Sequence, residues 1–318
     1  MTPGSVAVVD IGSNTIKVLI AAREAEGRLQ AVGMKTIDAR ISTGISHRDP
    51  ILSDEGMQRG LDAVRELLAY ATSYHPVRVV LVATAAVRDA RNGDDFRARV
   101  RAATGYEVRV LSGTEEADLI GRGLTVDPAL TQLRDFYVFD LGGGSLECLS
   151  FDGRRVQQSL SLPLGSVRLA ELLVPDARLP FTEADAAAVR AHVRRTLEGS
   201  GFRFDLKEAS AVCAGGSMTA ARLVLAAETR VTLEESPSVV SVSELHRLLR
   251  DIGPLPLQAR QRVPGLPPAR ADVFPTALAT MVAIAELAGV DAFQHSFYNL
   301  RWGVAAELLE SLPPQVIQ

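Results

Sequence analysis

One seven-residue pattern occurs twice in this chain. Val9-Asp10-Ile11-Gly12-Ser13-Asn14-Thr15 is matched, position for position, by Phe139-Asp140-Leu141-Gly142-Gly143-Gly144-Ser145, with the aspartates at 10 and 140, an offset of 130 residues. Apolar runs flank both copies, Val6 to Asp10 and Ile16 to Ala22 around the first, Phe136 to Asp140 and Glu147 to Phe151 around the second. Each copy therefore reads as strand, Asp-x-Gly-x-x-Ser/Thr turn, strand. A hairpin repeated at this distance implies two lobes of like construction, a pseudo-twofold pair facing each other across a cleft.

The remaining segments fit that frame. After the first copy come a strand near 29–37, a helix opened by Ser53 and running to about Tyr74, a short β-rich run at 77–82 and a helix at 94–104 ended by Gly105. A strand at 108–111 and a helix opened by Thr114-Glu115-Glu116 follow. This β-then-βα order predicts an α/β fold, a mixed sheet flanked by helices. After the second copy, a strand is expected at 156–162 and helices at 166–173, 182–197, 218–226, 242–252 and 271–288. The expected lobes are 1–130 and 131–299, with a last helix from about 300 towards 318 packing back on the first lobe. Proline-rich stretches at 254–256 and 264–268 read as connectors.

Composition removes several function classes. With 318 residues, 47% hydrophobic, the chain can bury a large core. Its formal net charge is -4, so it has no global basic field for nucleic acid or acidic lipid, and any polyanion site must be a local patch. No apolar run approaches the ~20 residues of a spanning helix. No signal peptide is evident, so the cytoplasm is the expected location. Cys148 and Cys213 lie in apolar runs without a CxxC partner and read as buried thiols.

The turns suit a phosphate ligand. Glycines allow close approach, successive N–H groups form an anion nest, and Ser or Thr adds a hydroxyl. An aspartate beside such a turn repels phosphate unless a hard cation intervenes, which makes Asp10 and Asp140 candidate metal residues. A third glycine pair, Gly215-Gly216-Ser217, follows the apolar run Val212-Cys213-Ala214 and precedes a helix, a second kind of anion site. Glu147 shares a strand face with Ser145 while Leu146 and Cys148 point into the core. Glu115 and Glu116 open a helix, where the dipole alone accounts for one of them. Arg88 and Arg168 each follow a strand; Lys17, Arg40, Arg91, Arg270 and Arg301 also stand at element ends.

Taken together, Asp10-Ile-Gly-Ser-Asn-Thr15, Thr84 to Asn92, Leu111-Ser-Gly-Thr-Glu-Glu-Ala117, Asp140-Leu-Gly-Gly-Gly-Ser-Leu-Glu147, Ser161-Leu-Pro-Leu-Gly165, Gly215-Gly-Ser217 and Arg270-Ala-Asp272 resemble the exopolyphosphatase / guanosine pentaphosphate phosphohydrolase (Ppx/GppA) family. The resemblance runs from Val8 to about Leu309. It implies two ribonuclease-H-like lobes of the actin, Hsp70 and sugar kinase superfamily, with the site in the interdomain cleft. It also implies Glu116 as general base, and Asp140 and Glu147 as the pair that positions Mg²⁺ and the attacking water. Ser13, Asn14, Thr15, Gly143, Gly144, Ser145, Gly215, Gly216 and Ser217 match phosphate-binding loops. Arg88 matches an Arg that grips the phosphate chain, Lys17 stands among the phosphate-binding candidates where relatives often carry Arg or another polar group, and Arg270 matches an Arg linked to guanosine-polyphosphate binding.

The implied activity is Mg²⁺-dependent hydrolysis of the terminal phosphate of inorganic polyphosphate. Removal of the 5′ γ-phosphate from pppGpp is the alternative within the same chemistry. An ATP-using kinase or ATPase of the superfamily and a non-enzymatic polyphosphate- or alarmone-binding module are the alternatives outside it. The resemblance allows a homodimer; neither nucleic acid nor membrane is an expected partner. Relatives often read Gly-Leu-Arg-Glu-Gly near the C-terminus, where this chain has Asn299-Leu300-Arg301-Trp302-Gly303. Thr15 and Ser217 are conservative departures that keep a hydroxyl.

Overall fold

The computed structural model describes residues 4–312 except 25 and 208. Contacts divide the chain into two compact units, Met1–Thr43 with Asp49–Leu130 and Tyr298–Gln318, and Gly44–Arg48 with Thr131–Phe297.

The first unit opens with β1 (Val6–Ile11), β2 (Ile16–Arg23) and β3 (Leu29–Ile37), an antiparallel meander. It continues with α1 (Asp54–Thr72), β4 (Arg78–Ala83), α2 (Ala85–Arg88), α3 (Gly93–Thr104), β5 (Val108–Val110) and α4 (Gly113–Thr125). The strand order is β3-β2-β1-β4-β5, with β4 and β5 parallel to β1. Val6, Ala7, Val8, Val9 and Ile11 are wholly inaccessible, as a central strand covered on both faces requires. Ser53 caps α1 by accepting from the Gly56 N–H, and Gly105 ends α3 in the left-handed region at φ 77.

The second unit repeats the plan. β6 (Phe136–Leu141), β7 (Leu146–Asp152) and β8 (Arg155–Leu162) form its meander. α5 (Ser166–Leu173), α6 (Glu183–Gly199), β9 (Ser210–Ala214), α7 (Gly216–Thr229), β10 (Val239–Ser241), α8 (Val242–Ile252), α9 (Leu257–Arg260), α10 (Phe274–Ala288) and β11 (Ala292–His295) follow. The order β8-β7-β6-β9-β11 reproduces the first sheet, and β10 adds an antiparallel edge. Both sheets are mixed and carry the ribonuclease-H-like order, so the fold is α/β with two such units. Its core is aromatic around Tyr137, Phe139, Phe202 and Phe293, and α10 is buried on nearly every side.

Beyond the short unexpected helices α2 and α9, the structure departs from the pattern-based reading as follows. β10 and β11 were not expected: three and four residues are too few to display a period, and burial of Phe293 between neighbours holds β11 in place. The helix expected from 271 begins at Phe274, after a 3₁₀ turn at Pro268–Arg270; Pro275 sits in its first turn, where no N–H is needed. Residues 44–48 cluster with the second unit because Glu171 accepts the Gly44 and Ser46 N–H groups at 2.8 and 3.1 Å.

The chain ends in α11 (Leu300–Glu310), packed on α4, β1 and β2 of the first unit; positions 313–318, also expected in this helix, lie outside the described residues. The α11–α4 crossing needs glycine on both sides. A Cβ on Gly303 would stand 1.8 Å from the Leu119 carbonyl oxygen, and one on Gly123 2.2 Å from that of Asn299. Backbone cannot yield as a side chain can. Gly303→Ala is therefore expected to cost about 3 kcal/mol or more, the upper range for overpacking. Urea unfolding measures it, and an unchanged midpoint would show that the helices separate without cost.

Candidate active site

Both repeated turns have one geometry. The Gly12 N–H donates to the Thr15 carbonyl at 3.2 Å, and the Gly142 N–H to the Ser145 carbonyl at 3.0 Å. Each turn follows the C-terminal end of its sheet's first strand, the edge where α/β folds gather ligand groups. What differs is how each turn is tied down.

In the second unit, the start of α5 and Arg168 take up the carbonyls of the glycine turn. Ser166 N–H donates to the Gly142 oxygen at 2.9 Å, and Val167 and Arg168 N–H to the Gly143 oxygen at 2.9 and 3.1 Å. Arg168 Nε donates to the Gly144 oxygen at 2.8 Å. A trans peptide directs its C=O and N–H oppositely, so the N–H groups of Gly143, Gly144 and Ser145 point away from α5 as a row of donors. Gly165 makes the approach possible, since a Cβ there would lie 2.3 Å from the Gly143 oxygen. Arg168 thus serves the turn through its carbonyl.

In the first unit the segment after β3 performs this task. Arg40 N–H donates to the Asn14 oxygen at 2.9 Å, Arg40 Nε to Asn14 Oδ1 at 3.2 Å, and Ser42 Oγ to the Ser13 oxygen at 3.0 Å. Arg40 adopts φ 45, a left-handed conformation that costs a non-glycine residue energy. The N–H groups of Asn14 and Thr15 are turned outward in the same way. Ser13, Asn14 and Thr15 are all buried.

The acids fall into two groups. Asp140 and Glu147 are direct cross-strand partners on β6 and β7, and Glu147 in turn faces Ser161 on β8. Ser161 Oγ donates to Glu147 Oε1 at 2.8 Å. Directly opposed residues lie about 5 Å apart at Cβ and project from one face. Both carboxylates are buried, at 6% and 2% exposure, a costly arrangement for two like charges. Leu146 and Cys148 on the opposite face belong to the core, and burial raises the Cys148 thiol well above its ordinary range.

Glu116 lies in the first turn of α4. Ser112 and Glu115 form a capping box, Ser112 Oγ accepting from the Glu115 N–H and Glu115 Oε2 from the Ser112 N–H. Those bonds and Arg109 lower the Glu115 carboxyl to about 2. Glu115 is thereby the structural acid. Glu116 is buried, at 5% exposure, with Oε2 2.7 Å from Arg88 Nη1. Arg88 Nη1 also donates to the Leu111 oxygen at 3.1 Å.

The third glycine pair stands where β9 meets α7. Gly215 has φ 93, and a Cβ there would meet Asp140 Oδ1 at 2.6 Å. A Cβ on Gly216 would meet Arg270 Nη2 at 2.2 Å, so the guanidinium lies flat on that glycine at the start of α7. Asp140, Glu147, the glycine turn, Gly215, Gly216, Ser217 and Arg270 are therefore all placed in one unit.

Asp10 differs from its repeat-mate. Its cross-strand partner is Lys17, at the position that Glu147 holds in the second copy. Burial pushes the Asp10 carboxyl up, and the charges of Lys17 and Arg301 pull it only part of the way back. Among the described residues no three His, Cys, Asp or Glu side chains cluster. The opposed pair Asp140 and Glu147, with an oxygen of Asp140 against the bare face of Gly215, fits Mg²⁺, which takes one or two carboxylates and fills its other positions with water and phosphate. Ser42 and Thr219 were not anticipated, since nothing in their sequence surroundings sets them apart from other hydroxyl residues, and Ser161 stood within one of the family-like motifs without a role of its own.

Two mixed sheets, each with an anchored glycine turn and buried acids nearby, define an α/β protein of two like units with a candidate anion site in each. Residues 19–312 match the Ppx/GppA phosphatase family, and the chain belongs to it. It is 27% identical over 321 residues to the guanosine-5′-triphosphate,3′-diphosphate pyrophosphatase of Vibrio atlanticus (strain LGP32), covering 100% of this chain and 62% of that protein. It is 28% identical to the protein of that name from Vibrio vulnificus (strain YJ016), covering 96% of this chain and 59% of the other. The chain thus spans about six-tenths of these curated relatives. An exopolyphosphatase from Cytophaga hutchinsonii has the same fold, with TM-score 0.87, 21% identity and coverage of 97% and 99%. The Ppx/GppA family member of Aquifex aeolicus superposes with TM-score 0.77 at 22% identity, covering 98% and 99%.

Two outcomes test this geometry. Gly216→Ala meets only the far end of a flexible side chain, so the protein is expected to stay folded, with a midpoint near wild type, while Arg270 is displaced. Affinity for a polyanion, read by calorimetry, should fall severalfold; unchanged affinity would remove Arg270 from the site. The second concerns Asp10. A carboxyl with a higher pKa folded than unfolded loses stabilising effect as pH rises above its unfolded value, so at neutral pH it works against the fold. Asp10→Asn should therefore stabilise the protein at pH 7, the gain vanishing below the ordinary carboxyl value of 3.8. Equal urea midpoints at pH 7 would contradict this.

Proposed function

We propose that this chain hydrolyses the terminal phosphoanhydride bond of inorganic polyphosphate. The supporting observation is the common anchoring of the glycine turns, which turns rows of N–H donors outward beside buried acids. Such donors suit a phosphoryl group whose charge is spread over its oxygens as it transfers.

In this reading water attacks the terminal phosphorus, the bond to the bridging oxygen breaks, and orthophosphate and a chain one unit shorter result. Glu116 takes the water proton. Arg88 holds one of its oxygens and fixes its orientation; a carboxylate has further acceptor positions for the water. The N–H groups of Asn14, Thr15, Gly143, Gly144 and Ser145, and those at Gly215 to Ser217, bind the phosphate oxygens. Arg270 adds a cation beside Gly216, and Lys17 adds one beside Asp10. Asp140 and Glu147 would hold Mg²⁺, which when bound would offset the charge of the substrate; Asp10, also expected among the metal residues, faces Lys17 across the strand pair, which offsets part of its cost. The buried thiols Cys148 and Cys213 suit a reducing cytoplasm. None of the described helices is long and apolar enough to cross a membrane.

A second reading, removal of the 5′ phosphate of pppGpp, draws support from the names of the two Vibrio relatives. Phosphate release with Mg²⁺ from short polyphosphate, long polyphosphate and pppGpp, measured side by side, separates the two. Preference for either polyphosphate supports the first reading and preference for pppGpp the second; release from none would overturn both. On the preferred substrate, Glu116→Gln should lower kcat by on the order of 10²–10⁴, the usual contribution of a general base, and leave binding within a few-fold. Undiminished turnover would refute the base assignment.

A further inference from the structure

A polar chain is buried behind the third glycine turn, in a place the reaction above does not use. Arg222 on α7 and His295 at the end of β11 are 4% and 5% exposed. Arg222 Nη1 lies 3.0 Å from His295 Nδ1, and Arg222 Nη2 donates to the Leu233 oxygen and to the oxygen and Oγ of Ser236 at 2.8, 2.8 and 2.9 Å. His295 Nε2 lies 3.3 Å from Thr219 Oγ1. Thr219 Oγ1 donates to the Gly215 oxygen at 3.0 Å. Phe297 closes over this group, its ring 4.5 Å from that of His295 and 5.7 Å from the Arg222 guanidinium.

Donor rules fix the direction of every link. A guanidinium can only donate, so His295 Nδ1 must accept. The ring is then neutral with its proton on Nε2, and that N–H donates to Thr219 Oγ1. The Thr219 hydroxyl, accepting there, spends its single proton on the Gly215 oxygen. A doubly protonated ring would set two donors against each other across 3.0 Å, so the guanidinium selects the neutral tautomer. All links run one way, from Arg222 to Gly215, and aligned hydrogen bonds strengthen one another.

The end of the chain is the informative part. The Gly215 carbonyl and the Gly216 N–H belong to one planar peptide and point in opposite directions. Glycine on both sides leaves this peptide free to rotate, since Gly215 already sits at φ 93. A backbone bond from the Thr219 N–H to the Gly215 oxygen is long, at 3.3 Å. We propose that Thr219 and His295 are positioning residues that lock the Gly215–Gly216 peptide with its N–H aimed at the substrate phosphate. The idea rests on the phosphohydrolase reading for its consequence, but the locking itself is a property of the fold. It completes the scheme in which Arg40 and Ser42 hold the first turn, and α5 and Arg168 the second.

The experiment uses the full chain. Thr219→Val keeps the side-chain shape and removes the hydroxyl; Thr219→Ser restores it. His295→Phe removes both ring nitrogens, and Thr219→Val decides the matter if that variant fails to fold. Thr219→Val should lower kcat by on the order of tenfold to a hundredfold, the scale set by small misplacement of a catalytic donor, with KM within about threefold. Thr219→Ser should recover most of the loss. Amide hydrogen exchange over residues 214–219 should be faster in Thr219→Val than in wild type and Thr219→Ser, because the peptide is released. Wild-type kcat and exchange in Thr219→Val would overturn the proposal. If the wild-type chain hydrolyses none of the three substrates, the functional reading fails, and the exchange comparison still decides the locking.

Discussion

Backbone carbonyls oppose phosphate, and the way this protein disposes of them governs the rest of its design. A glycine turn exposes C=O and N–H groups alike, and an anion tolerates only the second. Each turn here has its carbonyls claimed from behind: by Arg40 and Ser42 in the first, by the α5 N-terminus and Arg168 in the second, by Thr219 in the third. The claimants differ in chemistry, but the outcome for the peptide planes is the same. This explains why the surrounding elements are placed as they are. α5 must begin within reach of Gly143, and Gly165 must lack a side chain for that approach.

The acids depend on a different kind of rigidity. Glu116 occupies the first turn of a helix whose start is fixed by the Ser112–Glu115 capping box and whose flank is fixed by the glycine-to-backbone contact with α11. In the proposed role of base, such a carboxylate gains from a scaffold of this kind, because displacement of an ångström is costly in rate. The buried charges of Asp140 and Glu147, and the half-buried one of Asp10, work against stability. The large apolar core, including α10 buried on nearly every side, is what allows the fold to carry them.

Much of this was legible in the sequence, for identifiable reasons. The repeated Asp-x-Gly-x-x-Ser/Thr hairpins mark themselves because glycine and hydroxyl residues interrupt strongly apolar strands, and the two sheets follow from the runs on either side. Glu147 stood out as a charge on an apolar strand, and the structure sets it opposite Asp140. The two adjacent glutamates, told apart in the sequence only through the family resemblance, are separated physically by the capping box, which takes up Glu115 and leaves Glu116 buried. Other parts had no local signal. Arg40 gives no hint of its left-handed backbone, because that conformation is imposed by the bonds to Asn14. β11 is four residues long and owes its place to neighbours distant in sequence. The link from Arg222 to Thr219 joins residues 73 and 76 positions from His295, a relation no periodicity could reveal.

The two hairpins also show how a duplicated backbone can acquire separate chemistries. Register places Lys17 across from Asp10 and Glu147 across from Asp140, so one substitution in each pair decides the charge of the whole turn. A carboxylate facing an ammonium has part of its cost offset from within the protein. Two opposed carboxylates repel, an arrangement that a bound divalent cation would relieve. The first hairpin thus presents mixed charge beside its turn, and the second a pair of acids that suits the metal proposed above. The asymmetry gives each copy a distinct task while the hydrogen bonds of the turn, Gly12 to Thr15 and Gly142 to Ser145, remain the same.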